Sequence, residues 1–484
     1  MWGQLPYLAK LEKAGIPTVL VDLADQHNMV TQEALVSGVP KIRHLHASRT
    51  LPGPADVDTW IGKILDELVR PLTDEEKQRG RWEIPQQRIL FEGTMDEADE
   101  FFAQVQYVPH PVNANISVYT DGFPIVLPTE ERVEKMLKGT SHRPDEIVTL
   151  QEDLPAYIGA MGRETKKGKP VLFHPLKRTA TVERIAVNAV MSGCRPEHLP
   201  VVLAIAQSGC SIVTTNFPSQ AVCLSGPIVK EIGLNVGVGH MGPGSPVNGP
   251  IGRSYQMMAI NLSGAVPGIN RMGCHGNPMN NGGMCFGEDS TRLPAPWEGL
   301  NEESGFRKDA SIVMVFQVFG GITGSQFSPG GYRALQKSGH GGIARRFGVK
   351  GTPGPHNWLK YLVPGIWAGR EGGTTILMVP EMAQHLIDLG FKSKNDVYEW
   401  LWKQSFEPVK DYRNRSWPDF ARNGWIGIEK TSGKPWKELP DDYKVPAGGD
   451  SPGDSCIIVA GGDEEASACI LGGRGDAFSV DVWR

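Results

Sequence analysis

The sequence lacks the features that mark several large classes of protein. No stretch of about 18 apolar residues is present, so no membrane-spanning helix is predicted. Lys and Arg number 49 against 54 Asp and Glu, a net charge of -5, without a run of five like charges, which argues against nucleic acid as a partner. Seven scattered cysteines form neither a disulfide framework nor a Cys-x-x-Cys pair. The first residues lack the basic and apolar segments of a signal peptide, so we expect a cytoplasmic, reduced protein.

Glycine and proline are abundant instead. Together 58 Gly and 37 Pro make up about 20% of the chain, against a background near 12%. They lie between apolar segments in non-repeating contexts, which is typical of tight turns and of backbone that approaches a ligand closely. This composition predicts an enzyme whose site is built from loops and whose substrate is a small molecule.

The order of predicted elements indicates an α/β fold. Strands at 16–23 and 41–47, with helices at 28–37 and 56–72, favour a parallel sheet and predict an N-terminal Rossmann-like βαβ unit over residues 1–80. A linker and small α/β region follows over 81–165, and a larger α/β body with glycine-rich loops occupies 166–484. No G-x-G-x-x-G follows either N-terminal strand, so no dinucleotide cofactor is predicted.

Apolar periodicity predicts further elements in the larger body. Strands are expected at 170–174, 312–320 and 374–380, and helices over 181–193 and 196–209. Near the end, an apolar strand from Ser455 runs into Gly461 and Gly462, and a helix containing Cys469 is expected after it.

The first candidate binding segment is the glycine-rich loop 239–253. It precedes an apolar helix, so its backbone N–H groups could receive a carboxylate or phosphate, and Arg253 could add a bidentate contact. His240 and Asn248 are its candidate side chains for proton transfer and substrate binding. Gly/Pro turns also serve simply to reverse the chain, and that alternative stays open.

The second candidate segment contains Cys274, His275 and Cys285, followed by Glu288. One interpretation makes Cys274 or Cys285 a nucleophile or redox thiol, with Glu288 or His240 moving protons. Another makes Cys274, His275 and Cys285 ligands of a metal, although their spacing matches no standard zinc pattern. A third treats the cysteines as small buried apolar residues. Asn281 in the same loop, His275, and Thr215 after an apolar segment are further candidates for substrate binding.

A basic turn, HPLKR at 174–178, is a weaker candidate. Its histidine, lysine and arginine could bind an acidic group, or the turn could be a solvated basic surface.

Parts of the chain resemble the UGSC family, bacterial selenoproteins and cysteine homologues named for a Sec-Gly-Ser-Cys motif. The resemblance rests on LEKAGIPTVLVD, ALVSGVPKIRHLHA and LPGPADVDTWIGKILDELVRPLT near the N terminus. Further segments in the middle, including GCRPEHLPVVLAIAQ and GPGSPVNGPIGR, look like the longer domain of larger relatives. The resemblance to this family implies a redox motif just before the first helix, but no cysteine precedes Cys194. We therefore expect either that a separate small subunit carries the motif or that the sequence begins downstream of the natural start, and these two are favoured over a branch that works without the motif.

Three functional hypotheses follow. The first is an enzyme that acts on a small polar or anionic molecule through cysteine chemistry, by reductive cleavage or by thiol-assisted hydrolysis or elimination. The second is a metal-dependent hydratase or lyase. The third is a non-catalytic substrate-binding subunit of a heteromeric enzyme, which should expose an apolar patch at its N-terminal face. A chain of this length is also expected to form an oligomer.

Overall fold

The protein is a mixed α/β chain with several small sheets. The computed structural model describes residues 5–23, 27–47, 57–80, 87–110, 112–154, 164–211, 219–271, 276, 280, 282–318, 349–361, 373–411, 428–429, 431–446, 449–462, 468–470 and 473–484. Within these ranges, no helix has both the length and the apolar character needed to cross a membrane.

The N-terminal segment forms a βαβ unit. Its elements are α1 (Leu5–Lys13), β1 (Leu20–Leu23), α2 (His27–Val36) and β2 (His44–Ala47), followed by α3 (Val57–Val69). Strands β1 and β2 are parallel, with Leu20 opposite His44 and Asp22 opposite His46. An apolar cluster that includes Leu5, Leu20 and Val30 packs α1 and α2 against this pair. The predicted βαβ order is confirmed here, whereas the wider Rossmann-like unit stays a prediction.

The chain divides into two compact units. The first comprises residues 1–218, 249–284 and 478–484, and the second comprises 219–248 and 285–477. The further elements of the first unit are α4 (Met95–Phe102), β3 (Val105–Val108), β4 (Ala114–Ser117), α5 (Glu130–Leu137), α6 (Val182–Met191), α7 (Leu199–Ala206) and α9 (Asn248–Asn261), the last beginning one residue before the boundary.

Helix α7 and the last residues of the chain belong to the core of the first unit. All eight residues of α7 are buried, which explains its almost wholly apolar sequence LPVVLAIA. The final segment is tied to the loop after α5, because Thr140 donates to the Trp483 carbonyl (2.5 Å) and His142 Nε2 lies 2.7 Å from the Val482 carbonyl.

The described part of the second unit contains three small sheets. Its strands are β5 (Ser219–Ser225), β6 (Met284–Gly287), β7 (Ile312–Val318), β8 (Thr375–Met378), β9 (Phe406–Pro408), β10 (Lys444–Pro446), β11 (Cys456–Val459), β12 (Ala468–Ile470) and β13 (Asp476–Ser479); its helices are α8 (Ile228–Glu231), α10 (Leu300–Glu303), α11 (Pro380–Asp388) and α12 (Lys394–Gln404). Strands β6 and β13 each cross a unit boundary. The four-stranded sheet has the order β13-β7-β5-β6, and the three-stranded sheet has the order β11-β8-β12, in which β8 and β11 are parallel. Strands β9 and β10 form an antiparallel pair. A core around Trp358, Ile376 and Leu386 packs on the three-stranded sheet.

Two predicted elements are wrong. Residues 170–174 form only isolated bridges, because prolines at 170 and 175 lack the N–H groups that extend a ladder. The helix expected around Cys469 is instead β12, which pairs antiparallel with β8. A short apolar run carries no clear period, and here strand pairing decides its conformation.

Candidate metal centre and the predicted glycine-rich loops

Four side chains of the N-terminal βαβ unit converge on one point. Asp22, His27, His44 and His46 each offer one ligand atom, and these atoms lie within 4.8 Å of one another. The three imidazole rings are 4.7–5.1 Å apart between centroids. Imidazole nitrogens and a carboxylate oxygen are common ligands of zinc and other divalent transition metals.

The backbone explains the convergence. Residues two apart on a strand share a face, so His44 and His46 point to the same side of β2. Asp22 is the register partner of His46, which places its carboxylate on that side as well. His27 is the first residue of α2, the helix that connects the two strands. The site therefore lies near the carboxyl ends of parallel strands, where α/β sheets commonly bind ligands.

Hydrogen bonds orient two of the rings. Nδ1 of His46 lies 2.7 Å from Oδ1 of Asp22, and Nδ1 of His44 lies 2.9 Å from the Ile42 carbonyl oxygen. Both oxygens only accept, so each Nδ1 carries the proton and leaves Nε2 of its ring with a lone pair. In metal sites a histidine typically binds the metal through one ring nitrogen and donates a hydrogen bond from the other to a carboxylate or carbonyl oxygen.

Burial and charge suit a cation. The Asp22 side chain is fully buried, and its Oδ2 has no hydrogen-bond partner among the described residues. A buried carboxylate oxygen without a partner is costly, and a metal ion would satisfy it. The His46 side chain is 43% exposed, so solvent reaches one edge of the cluster. Partial burial, together with His44 and His46, lowers the pKa of His27, which favours the neutral imidazole that binds metals.

The strand that carries two of the histidines is anchored by Arg43. Its guanidinium pairs with Glu12 (3.2 Å) and donates to the Glu67 carbonyl at 2.6 Å, near the end of α3. Because Arg43 and Glu12 are both nearly buried, this pair fixes the position of β2 between α1 and α3.

Sequence reasoning missed this cluster. The segment was correctly predicted as a strand pairing in parallel with 16–23, but its His-x-His pattern was not combined with the aspartate on the neighbouring strand. That combination was the available signal, because period-two spacing and a parallel register together place Asp22, His44 and His46 on one face.

Three of the predicted site residues do come together in the second unit. The Asn248 amide nitrogen donates to the carbonyls of Asn235 (2.9 Å), His240 (3.1 Å) and Cys285 (3.2 Å). Its oxygen accepts from the Asn235 N–H (3.0 Å) and the Ser245 hydroxyl (2.6 Å). The amide is fully used in joining the glycine-rich loop to β6, so Asn248 shapes the loop.

His240 lies beside the carboxyl end of β11. It is 9% exposed, and its Nδ1 has no hydrogen-bond partner among the described residues. Burial lowers the pKa of His240 to about 4, which leaves the ring neutral at physiological pH. Gly461 adopts φ +106°, and a Cβ there would lie 3.1 Å from Val379 and 3.8 Å from His240 Nε2. The positive φ and the close contact with Val379 therefore favour glycine at 461, whereas the distance to His240 would also accommodate a Cβ.

Glu288 belongs to a buried ionic network. Its carboxylate accepts from Lys394 (2.8 Å), from the Ser225 hydroxyl (3.0 Å) and from the Leu300 N–H (2.6 Å). Lys394 also donates to Glu303 at 2.9 Å, and the Tyr398 hydroxyl donates to the Glu303 carboxylate at 2.9 Å. With three partners and no exposure, Glu288 is held as a paired carboxylate.

The other predicted residues divide between the described and undescribed parts of the chain. Cys285 is 3% exposed on β6, and Arg253 pairs with Asp121 at 2.7 Å in the first unit. Cys274, His275, Asn281 and Thr215 lie outside the described residues. Cysteine chemistry and a metal held by Cys274, His275 and Cys285 therefore stay predictions.

Comparison of the chain with protein-family models, with curated proteins and with solved structures found no match.

Proposed function

We propose that the chain is a metal-dependent hydratase or lyase that acts on a small polar or anionic molecule, with its metal at Asp22, His27, His44 and His46. The observation that carries this proposal is the convergence of one ligand atom from each of the four side chains. The Oδ2 of Asp22, which has no hydrogen-bond partner among the described residues, supports it. The metal centre predicted from the sequence is thus proposed at a different set of residues.

Each of the proposed ligand residues would have a distinct role at the metal site. A bound divalent cation would supply Lewis-acid polarisation of a substrate or water oxygen. His44 and His46 would bind through Nε2, since the Ile42 carbonyl and Asp22 hold the opposite nitrogens. Asp22 would supply negative charge from a buried position, and the exposed edge at His46 would admit substrate.

The ligand set favours a transition metal over Mg²⁺ or Ca²⁺. Three imidazoles and one carboxylate suit zinc, cobalt or nickel, whereas hard cations prefer sites made only of oxygen. Placement at the carboxyl ends of β1 and β2 also supports the finer interpretation of residues 1–80 as a Rossmann-like module.

Metal binding by the full chain tests the site. Cobalt absorbs visible light when ligated by imidazole, so titration of metal-stripped protein should give one equivalent with an intense visible band. We expect His44→Ala and His46→Ala to abolish that band, and His110→Ala, which removes an exposed histidine of the same unit, to leave it unchanged. A wild-type chain that binds no stoichiometric cobalt or zinc would exclude the site.

The reaction class is tested separately. Hydration of short unsaturated carboxylates and dehydration of the matching hydroxy acids should require the metal, be lost in His44→Ala, and return when metal is restored to stripped wild-type protein. Turnover that survives removal of the metal would contradict the assignment even if the site binds zinc.

One observation favours a second candidate, a subunit of a heteromeric enzyme. Helix α3 exposes Ile61 (48%), Leu65 (53%) and Val69 (79%), which lie at i, i+4 and i+8 on one face. An apolar stripe of this kind is typical of a covered surface, and the resemblance to the UGSC family suggests a small subunit bearing the Gly-Ser-Cys motif as the cover. Native mass spectrometry of the protein from its source should then reveal a stoichiometric small chain. Its loss in Leu65→Ser would support this candidate, whereas a partner-free wild type would contradict it.

A further inference from the structure

The hairpin of β3 and β4 has outer edges that no other strand covers. The two strands pair antiparallel, with Tyr107 opposite Asn115, and among the described residues they form a sheet of only two strands. A two-stranded sheet is marginally stable by itself and gains stability from a further strand or a packed face. The unpaired edges of this hairpin are therefore candidate docking surfaces.

The hydrogen bonds of the hairpin decide which main-chain groups face outward on β3. The Val118 N–H donates to the Gln104 carbonyl at 3.0 Å, which continues the register and makes these two residues a hydrogen-bonded pair. Because hydrogen-bonded and non-hydrogen-bonded pairs alternate in an antiparallel ladder, Gln106 also bonds to β4. The N–H and carbonyl groups of Val105 and Tyr107 therefore point away from β4, and no other main-chain hydrogen bond engages them among the described residues.

The side chains at this edge are apolar and exposed. Val105 is 54% exposed and Tyr107 is 63% exposed, and they share one face of the hairpin because they are two residues apart on the strand. The sequence of β3, VQYV, contains no charged residue. Edge strands of natural proteins are commonly protected by lysine or other charges, and an exposed apolar edge without them is a site where another strand pairs.

The other face of β3 is held on the first unit. Val108, the last residue of the strand, is 2% exposed, and its Cγ1 lies 3.1 Å from the position that a Cβ on Gly268 would occupy. Gly268 adopts φ +75°, so both its conformation and the close approach of the strand favour glycine there. The outer edge of β3 is thus presented from a fixed backbone.

The segment that carries the hairpin is rich in exposed apolar side chains. Six large ones are between 39% and 63% exposed, namely Ile89, Leu90, Met95, Val105, Tyr107 and Phe123. At roughly 100 Å² each they offer roughly 600 Å² of apolar surface. A standard interface buries about 800 Å² of each partner, so this segment supplies most of the area that a stable dimer needs.

We propose that the outer edge of β3 is a dimer interface, on which β3 of a second copy of the chain pairs antiparallel about a two-fold axis at Gln106. In this register Val105 of each copy lies opposite Tyr107 of the other, and the outward N–H and carbonyl groups of these residues bond across the interface. The opposed side chains form aromatic and β-branched pairs, which stabilise antiparallel sheets. The strand complements itself, as a two-fold interface requires. The interface uses none of the four proposed metal ligands, so it goes beyond the proposed function and does not depend on it.

Sedimentation equilibrium of the full chain tests the proposal. Wild-type protein at micromolar concentration should have twice the chain mass of 52.8 kDa. Tyr107→Pro removes an outward N–H without removing a bond of the hairpin, and it should weaken the dimer roughly tenfold or more because each copy loses a hydrogen bond across the interface. Asn115→Pro is the matched control, since it removes an outward N–H at the same register position on the opposite edge, and it should leave the dimer unchanged.

A pair of double variants tests the register. Val105→Lys/Tyr107→Lys places like charges opposite each other across the two-fold axis, so we expect a monomer. Val105→Glu/Tyr107→Lys places opposite charges there, so we expect the dimer to return. Both double variants should keep the circular dichroism spectrum of the wild type, because the two side chains are exposed in the single chain.

Four results would each overturn the proposal. These are a monomeric wild type, a dimer that Tyr107→Pro leaves intact, a dimer that Asn115→Pro abolishes, and equal association of the two double variants. The metal-stripped wild type should dimerise as the untreated protein does, so failure here is distinguishable from failure of the metal site.

Discussion

Oδ1 of Asp22 lies 2.7 Å from Nδ1 of His46, its register partner in the parallel pair of β1 and β2. The geometry of the proposed metal site therefore depends on strand register, because the backbone pairing of β1 and β2 places the Asp22 carboxylate beside the His46 imidazole. A shift of one residue in register would move the carboxylate to the opposite face of the sheet.

Replacement of Asp22 by Asn should uncouple metal binding from folding. The amide keeps the volume of the side chain but loses its charge, so we expect zinc affinity to fall by roughly 10- to 100-fold or more. Competition against a chromophoric chelator measures the affinity, and far-ultraviolet circular dichroism should remain that of the wild type. Wild-type affinity in this variant, with His110→Ala as the control, would show that the carboxylate takes no part.

Removal of Lys394 should destabilise the second unit strongly. Lys394→Met leaves Glu288 and Glu303 buried without their shared cation, and breaking a buried pair in this way costs roughly 3–5 kcal/mol. Urea unfolding measures the loss. The double variant Lys394→Met/Glu288→Gln should regain part of it, since one uncompensated charge is then neutral. If the double variant lost the sum of the two single effects, the network would not be coupled.

The pH dependence of stability should carry the signature of His198. Its Nδ1 accepts the Arg195 N–H at 3.2 Å, and burial lowers its pKa to about 4. The unfolded chain, in which histidine has its ordinary pKa near 6.5, binds more protons between these values, so stability falls as pH drops from 6.5 toward 4. His198→Asn keeps an acceptor but does not titrate, and should remove on the order of 3 kcal/mol from that dependence. Chemical unfolding at several pH values measures it, and identical slopes in both proteins would contradict the pKa.

Asn248 offers a test of the loop in the second unit. Its amide nitrogen faces three carbonyl oxygens, so Asn248→Asp would place a carboxylate against them, whereas Asn248→Ala only leaves them without a donor. We expect both variants to be destabilised, the Asp variant more, with a loss on the order of 2–4 kcal/mol. The difference in unfolding free energy between the two is the measurement, and a more stable Asp variant would mean that the amide is oriented the other way.

Sequence alone predicted local features of this protein well. Apolar periodicity predicted α6 within 181–193 and the strands β7 and β8, and the expected strand at 16–23 contains β1. Prediction failed where pairing partners decide the conformation, as at β12 and at the undetected β5, because a short apolar run packs as helix or strand according to its neighbours.

The candidate sites show the same limit. Asn248 and His240 were singled out from a glycine-rich loop, but only the folded chain shows that the amide binds three carbonyls and that the ring is nearly buried. The cluster at Asp22 requires knowledge of strand register. Such relationships depend on residues far apart in sequence, which no local pattern contains.

The division of the chain into interleaved units has a consequence for biosynthesis. The first unit includes residues 478–484, and Thr140 and His142 bind the backbone of Trp483 and Val482. These contacts cannot form until about 260 residues after position 218 have been translated, which takes tens of seconds at roughly 5–20 residues per second. During that interval the nascent chain lacks residues 478–484, which pack against α7 in the folded unit. The apolar side of α7 is then exposed, so the nascent chain should bind chaperones that recognise exposed hydrophobic segments.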